Sequence, residues 1–140
     1  MKSFRTIPIA AVGLALALAA CSASPAASPT KTTVTGTLTE YAITLSATSA
    51  SAGIVEFDVT NAGTIIHEFV ILKTDTLAKD LPLSGDSVDE DALDAIGEVA
   101  ETDPSGTGTF TATLAAGHYA IICNIPGHVM QGMVTDFTVN

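Results

Sequence analysis

Basic side chains are scarce in this sequence: 140 residues carry five Lys and Arg against fifteen Asp and Glu, a formal net charge of -10. A surface of that sign repels phosphate backbones and anionic substrates, so nucleic-acid binding is excluded, and a positively charged docking partner suits it. Cysteine is equally rare, with Cys21 and Cys123 alone, so no disulfide framework staples the fold and at most one bridge is available. The one long apolar run, Ile7 to Ala20, contains Pro8 and falls short of the about 20 residues that a spanning helix needs. No internal period is found, and the length allows one domain with a single core.

That apolar run has a different use. Lys2 and Arg5 precede it and "LAAC" ends it, the pattern of an export signal over residues 1–20. The ending resembles a bacterial lipobox, which implies that Cys21 becomes the first mature residue and carries lipid. At about 0.8 kcal/mol per buried methylene, several acyl chains hold a protein firmly at a membrane surface. The next segment, "SASPAASPTKTT", is small, polar and proline-containing, so residues 21–33 are expected to be a flexible tether and residues 34–140 the folded domain. The expected location is exported, either lipid-anchored on the outer face of the cell membrane or in the periplasm. Lipid on Cys21 also forbids its pairing with Cys123, leaving Cys123 a lone thiol in an oxidising compartment.

From Val34 onward, apolar and polar residues alternate in short runs rich in Val, Ile, Thr and Phe, the period of half-buried strands. "IVEFDVTN" puts Val55, Phe57 and Val59 on one face, "IIHEFVILK" puts His67, Phe69 and Ile71 on one side, and "HYAIIC" aligns Tyr119, Ile121 and Cys123. Residues 73–104 interrupt the pattern with ten acids between Asp75 and Asp103. Within them "SVDEDALDAIGEVA" offers a capping box at Ser87 and Glu90, then Leu93, Ile96 and Ala100 at helical spacing, which predicts one short amphipathic helix that covers an end of the core. About seven or eight strands without βαβ alternation predict an all-β, antiparallel sandwich of two sheets.

The chemistry concentrates in "CNIPGHVMQGM". If the strand ends at Cys123, a loop returning at Met133 turns Cys123, His128 and Met133 inward, and a further ligand must come from His67 or His118. His67 lies among apolar residues and needs a partner for its ring nitrogens. His118 alternates to the face opposite Cys123 and is expected at the surface. One thiolate, two imidazoles and a weak thioether suit copper, whereas zinc prefers more thiolates or a carboxylate, and calcium and magnesium prefer oxygen. Two other readings stand beside this one: a buried free cysteine next to a mobile loop, and Cys123 as a nucleophile with His128 as its base. The second lacks an orienting third group and a cleft, so an enzyme is not expected.

"HYAIICNIPGHVMQGMVTDFTV" together with "NAGTIIHEFVI" resembles the cupredoxins, the small blue copper proteins, over nearly all of residues 34–140. The resemblance implies a Greek-key sandwich binding one copper ion that cycles between Cu(I) and Cu(II). It makes His67, Cys123 and His128 the equatorial ligands and Met133 the axial one, with Met130 a surface residue. Glu68 stands where many cupredoxins have asparagine, which alters the surroundings of His67. The function implied is single-electron transfer between redox proteins by a monomer, with Ile125, Pro126, Val129 and Met130 as contact patch. Copper delivery, storage or tolerance is the competing function, and the chain has no methionine-rich or histidine-rich tail to favour it.

Overall fold

The computed structural model describes residues 30–140, so the expected signal, Cys21 and most of the expected tether lie outside the described residues. Eleven strands follow in order: β1 (Thr32–Thr39), β2 (Ala42–Leu45), β3 (Ser49–Ala50), β4 (Gly53–Asn61), β5 (His67–Lys73), β6 (Leu83–Ser84), β7 (Ser87–Val88), β8 (Asp94–Thr102), β9 (Thr107–Leu114), β10 (Gly117–Ile122) and β11 (Val134–Val139). Eight of these are four residues or longer. One sheet has the order β2-β1-β4-β9, the facing sheet β3-β11-β10-β5-β8, and β6 and β7 form a separate hairpin. Among the described residues no helix is long and apolar enough to cross a membrane.

The alternation sorts residues as the pattern predicts. Val34, Leu38, Val55, Phe57 and Val59 from the first sheet meet Phe69, Ile71, Tyr119, Ile121 and Phe137 from the second in one core. The Phe57 ring touches Phe69 and Phe137, each at 5.4 Å between centroids, which locks the two sheets together at mid-height. The opposite face of the second sheet is apolar as well: Val70, Leu72, Ala120 and Ile122 are covered by Ala78, Leu81 and Val88 of the acidic excursion. That second covering explains why "FVIL" and "AII" read as continuous apolar runs.

Two expectations need correction. The sheets are mixed, because β1 pairs with β4, and β11 with β3, in parallel. Between β1 and β4 the chain crosses to the facing sheet at β3, so β4 returns in the same direction as β1. The amphipathic helix is also absent. Glu90–Ala92 make a single 3-10 turn, capped by the Asp89 side chain rather than by Ser87, and Asp94–Thr102 are strand β8. Without β8, one edge of β5 would expose its peptide groups, and pairing them outweighs the weak helical preference of this stretch. Gly97 seals the choice: it has φ +154, and a Cβ there would meet the Phe110 ring at 2.4 Å. Leu93 and Ile96 consequently pack in different clusters instead of forming one stripe.

His118 also differs from expectation. It is half-buried, with Nδ1 2.6 Å from the Thr74 carbonyl and Nε2 3.0 Å from the Asp136 carboxylate, which in turn accepts the Ala78 amide at 2.8 Å. This knot fastens the start of the excursion onto β10 and β11, far from Cys123.

Candidate metal centre

Three separate elements meet at one end of the sandwich. His67 opens β5, and Cys123 directly follows β10. The loop between Cys123 and Met133 is closed at its ends by the Cys123 amide donating to the Met133 carbonyl at 3.0 Å. Within it the His128 amide donates to the Ile125 carbonyl at 2.9 Å, and the His128 carbonyl accepts from Gln131 and Met133, both at 3.1 Å. Gly132, at φ 89, ends the 3-10 turn Val129–Gln131 and sends the chain into β11 with Met133 turned inside.

The loop is held from outside by the excursion. Asn124 Oδ1 accepts the Val88 amide at 2.7 Å, while its Nδ2 donates to the Val88 carbonyl at 2.9 Å and to Glu90 at 2.6 Å. Ser87 donates to the Asn124 carbonyl at 3.1 Å, and the Gly127 amide to the Asp86 carbonyl at 2.9 Å.

Sγ of Cys123 lies 3.2 Å from His128 Nδ1 and 3.8 Å from His67 Nδ1. One ligand atom from each of the three residues falls within 4.8 Å of the others. His67 and Cys123 are 0% exposed and His128 7%. Met133 is 0% exposed and shares the core cluster of Cys123, whereas Met130 is 62% exposed and points away into solvent. His118 is not part of this group.

Burial sets the protonation of the donors. Burial pushes the Cys123 thiol up, opposed by the Glu68 amide, 3.4 Å from Sγ, and the Ile125 amide. Burial also lowers His128, and the neighbouring His67 ring lowers it further, so its imidazole is neutral with a lone pair free at neutral pH. A metal bound here would displace the thiol proton, and the Glu68 and Ile125 amides are placed to stabilise the thiolate. His67 Nε2 is buried with no hydrogen-bond partner among the described residues. One soft sulfur, two imidazoles, an inward thioether and no carboxylate in the group make this set fit copper.

A family model described as "Sulfocyanin (SoxE) domain" matches residues 10–140. The chain belongs to the sulfocyanin family, a branch of the cupredoxins. Solved structures show the same fold. Rusticyanin from Thiobacillus ferrooxidans has a TM-score of 0.60 at 19% identity, covering 81% of this chain and 79% of that one. Auracyanin A of Chloroflexus aurantiacus, described as a "blue" copper protein, has a TM-score of 0.56 at 22% identity, over 79% of this chain and 100% of that one. Auracyanin of Roseiflexus castenholzii has a TM-score of 0.55 at 20% identity, with 79% and 96% covered. No curated protein matches the chain in sequence. The cofactor of this sulfocyanin-family site is one copper ion, for which the sulfur and nitrogen donors are already assembled.

Several residues around the sulfocyanin site have no sequence signature. Glu40 and Tyr41, at the turn between β1 and β2, each address a histidine: Glu40 Oε1 is 3.7 Å from His67 Nε2, and the Tyr41 ring stands edge-on to His128 at 5.1 Å. Ile65 and Ile66 are exposed beside His128 and, with Thr64, Glu101, Pro104 and Ile125, line a shallow cleft of about 570 Å³. Of the expected contact residues, Pro126 and Met130 are exposed, while Ile125 and Val129 are half-buried. Val129 packs against the outer cluster.

Glu68 is half-buried, and its carboxyl is pushed up to about 7, by burial first and then by Glu90, Glu98 and Glu101. The Asn124 backbone amide opposes this. Because the folded value lies above the ordinary 4.5, Glu68 contributes stability that is full below the unfolded value and lost as pH rises through about 7. Glu68→Gln in the copper-free protein is therefore expected to flatten the fall in urea midpoint between about pH 5 and about pH 8. Allowing for solvent screening of a half-exposed group, the difference is about 1 kcal/mol. Identical pH profiles for wild type and variant contradict this role.

Proposed function

We propose that the protein carries single electrons between redox proteins as a blue copper protein outside the cell membrane. The observation that carries this reading is the one-sided burial of the donors: His67, Cys123 and Met133 are sealed, and only an edge of His128 reaches the surface. Copper in such a site supplies a one-electron couple, and a rigid donor set limits rearrangement between its two oxidation states. His128 offers the electron a route out, Tyr41 braces its ring, and the Asn124 bonds keep the loop in one geometry. No substrate has to enter, which is why a carrier rather than an enzyme fits.

Around His128, the exposed Ile65, Ile66, Pro126 and Met130 supply an apolar contact area suited to brief docking. Glu101 on the cleft wall, with Glu90 and Glu98 nearby, makes the flank acidic, so a partner with basic side chains around its own redox centre is favoured. We assign the protein as a monomer tethered through lipid on Cys21, at the outer face of the cell membrane or in the periplasm. The support is the sequence of the leader and of the tether.

The test is voltammetry of the copper-loaded protein in the presence of a copper chelator. Repeated, reversible one-electron cycling with the metal retained is the expected result. Rapid loss of copper to the chelator with sluggish electron exchange overturns the carrier reading and leaves copper delivery, storage or tolerance in its place.

A further inference from the structure

We propose that Glu40 is the positioning residue of His67, its carboxylate receiving the Nε2–H of His67 when Nδ1 binds copper. The inference rests on the copper reading above and concerns a residue outside the four ligands. His67 Nδ1 faces Cys123, so its other nitrogen must carry the ring proton when the metal is bound. That nitrogen is the buried side-chain atom without a partner among the described residues, and the nearest acidic oxygen is Glu40 Oε1 at 3.7 Å.

The surroundings of Glu40 are built to present this oxygen. Oε1 accepts the amides of Thr64 and Ile65 and the Thr64 hydroxyl, the last two at 3.1 Å each. These donors pin the carboxyl group in place on the side of His67 Nε2. The turn that supplies the amides is itself fixed by the fully buried Asn61, whose Nδ2 donates to the carbonyls of Ile65 and Thr102, both at 2.8 Å. Asn61 Oδ1 is taken by the Gly63 amide at 2.9 Å. Gly63 leaves the gap through which carboxylate and imidazole face each other: a Cβ there would lie 2.7 Å from Glu40 Oε1 and 2.9 Å from His67 Nε2. A shift of less than 1 Å in the 30% exposed Glu40 side chain or in the ring brings the pair to hydrogen-bond length.

A carboxylate on the distal nitrogen fixes the tautomer and makes the ligating nitrogen a stronger donor, which favours Cu(II) over Cu(I). Glu40→Gln keeps an oxygen for the amides and removes the charge. Its Cu(II) affinity is expected to fall about 10-fold with Cu(I) affinity little changed, which raises the reduction potential by about 59 mV. A residue that merely fastens the turn moves copper-free stability but not this ratio, so an unchanged ratio overturns the proposal whether or not stability falls. The wild type provides a second readout that needs no variant. In the Cu(I)-loaded protein, the proton on His67 Nε2 is expected far downfield in the proton spectrum, as for an N–H held by a carboxylate, and an ordinary position overturns the proposal. A wild type that binds no copper removes the copper reading and this inference with it, whereas a coloured, copper-binding Glu40→Gln with wild-type potential removes Glu40 alone.

Discussion

Cys123→Ser is expected to abolish the intense visible absorption that Cu(II) gives with the wild-type protein. The colour depends on a thiolate bonded to the metal, and a serine hydroxyl neither ionises in this pocket nor offers a soft donor. Cys123 itself is 0% exposed, so no other sulfur or charged group reaches its place from solvent. Copper affinity should fall by more than the ~10–100-fold that loss of an outer partner of a ligand costs. The copper-free fold persists, since serine is smaller and the Glu68 amide still finds an oxygen, with a penalty of ~1–3 kcal/mol for the buried hydroxyl. Titration with Cu(II), followed by absorbance and by chelator competition, measures both effects. A serine variant that keeps the band places copper elsewhere.

Copper loading should also raise the melting temperature by roughly 15 °C: metal at a thousand times its dissociation constant stabilises the native state by about 4 kcal/mol, and each kcal/mol moves a domain of this size by about 4 °C. The gain is large because the metal would tie together donors from separate elements that unfolding parts. Calorimetry with and without a chelator reads it directly. In the Cys123→Ser protein the same addition should shift the midpoint by only a small fraction of that amount, and equal shifts in both proteins would show that copper stabilises through some other place.

Much of this centre is written in the chain because period-2 alternation reports side-chain faces. Val55, Phe57 and Val59 turn inward as their spacing predicts, and so do Tyr119, Ile121 and Cys123, which puts the thiol inside before any fold is known. The loop to His128 and Met133 is short enough that its spacing alone brings the donors to one place. Alternation is blind to strand direction, so the parallel pairing of β1 with β4 was not legible. Nor does local spacing weigh the need of β5 for an edge partner, which is why Leu93, Ile96 and Ala100 suggest a helix where β8 forms. Glu40, Tyr41, Ile65 and Ile66 reach the histidines only through tertiary closure, and no motif marks them.

The parallel alignment of β1 with β4 has a consequence for orientation. Thr32 sits beside Val55 and Leu38 beside Asn61, so the chain enters the domain at the pole opposite His67. The eight residues of β1 separate the two poles by roughly 26 Å at about 3.3 Å per residue. A tether of the kind proposed therefore joins the domain at one end while the metal centre lies at the other. On the proposed reading of a lipid-anchored electron carrier, such an attachment leaves the His128 end of the domain unobstructed for a docking partner.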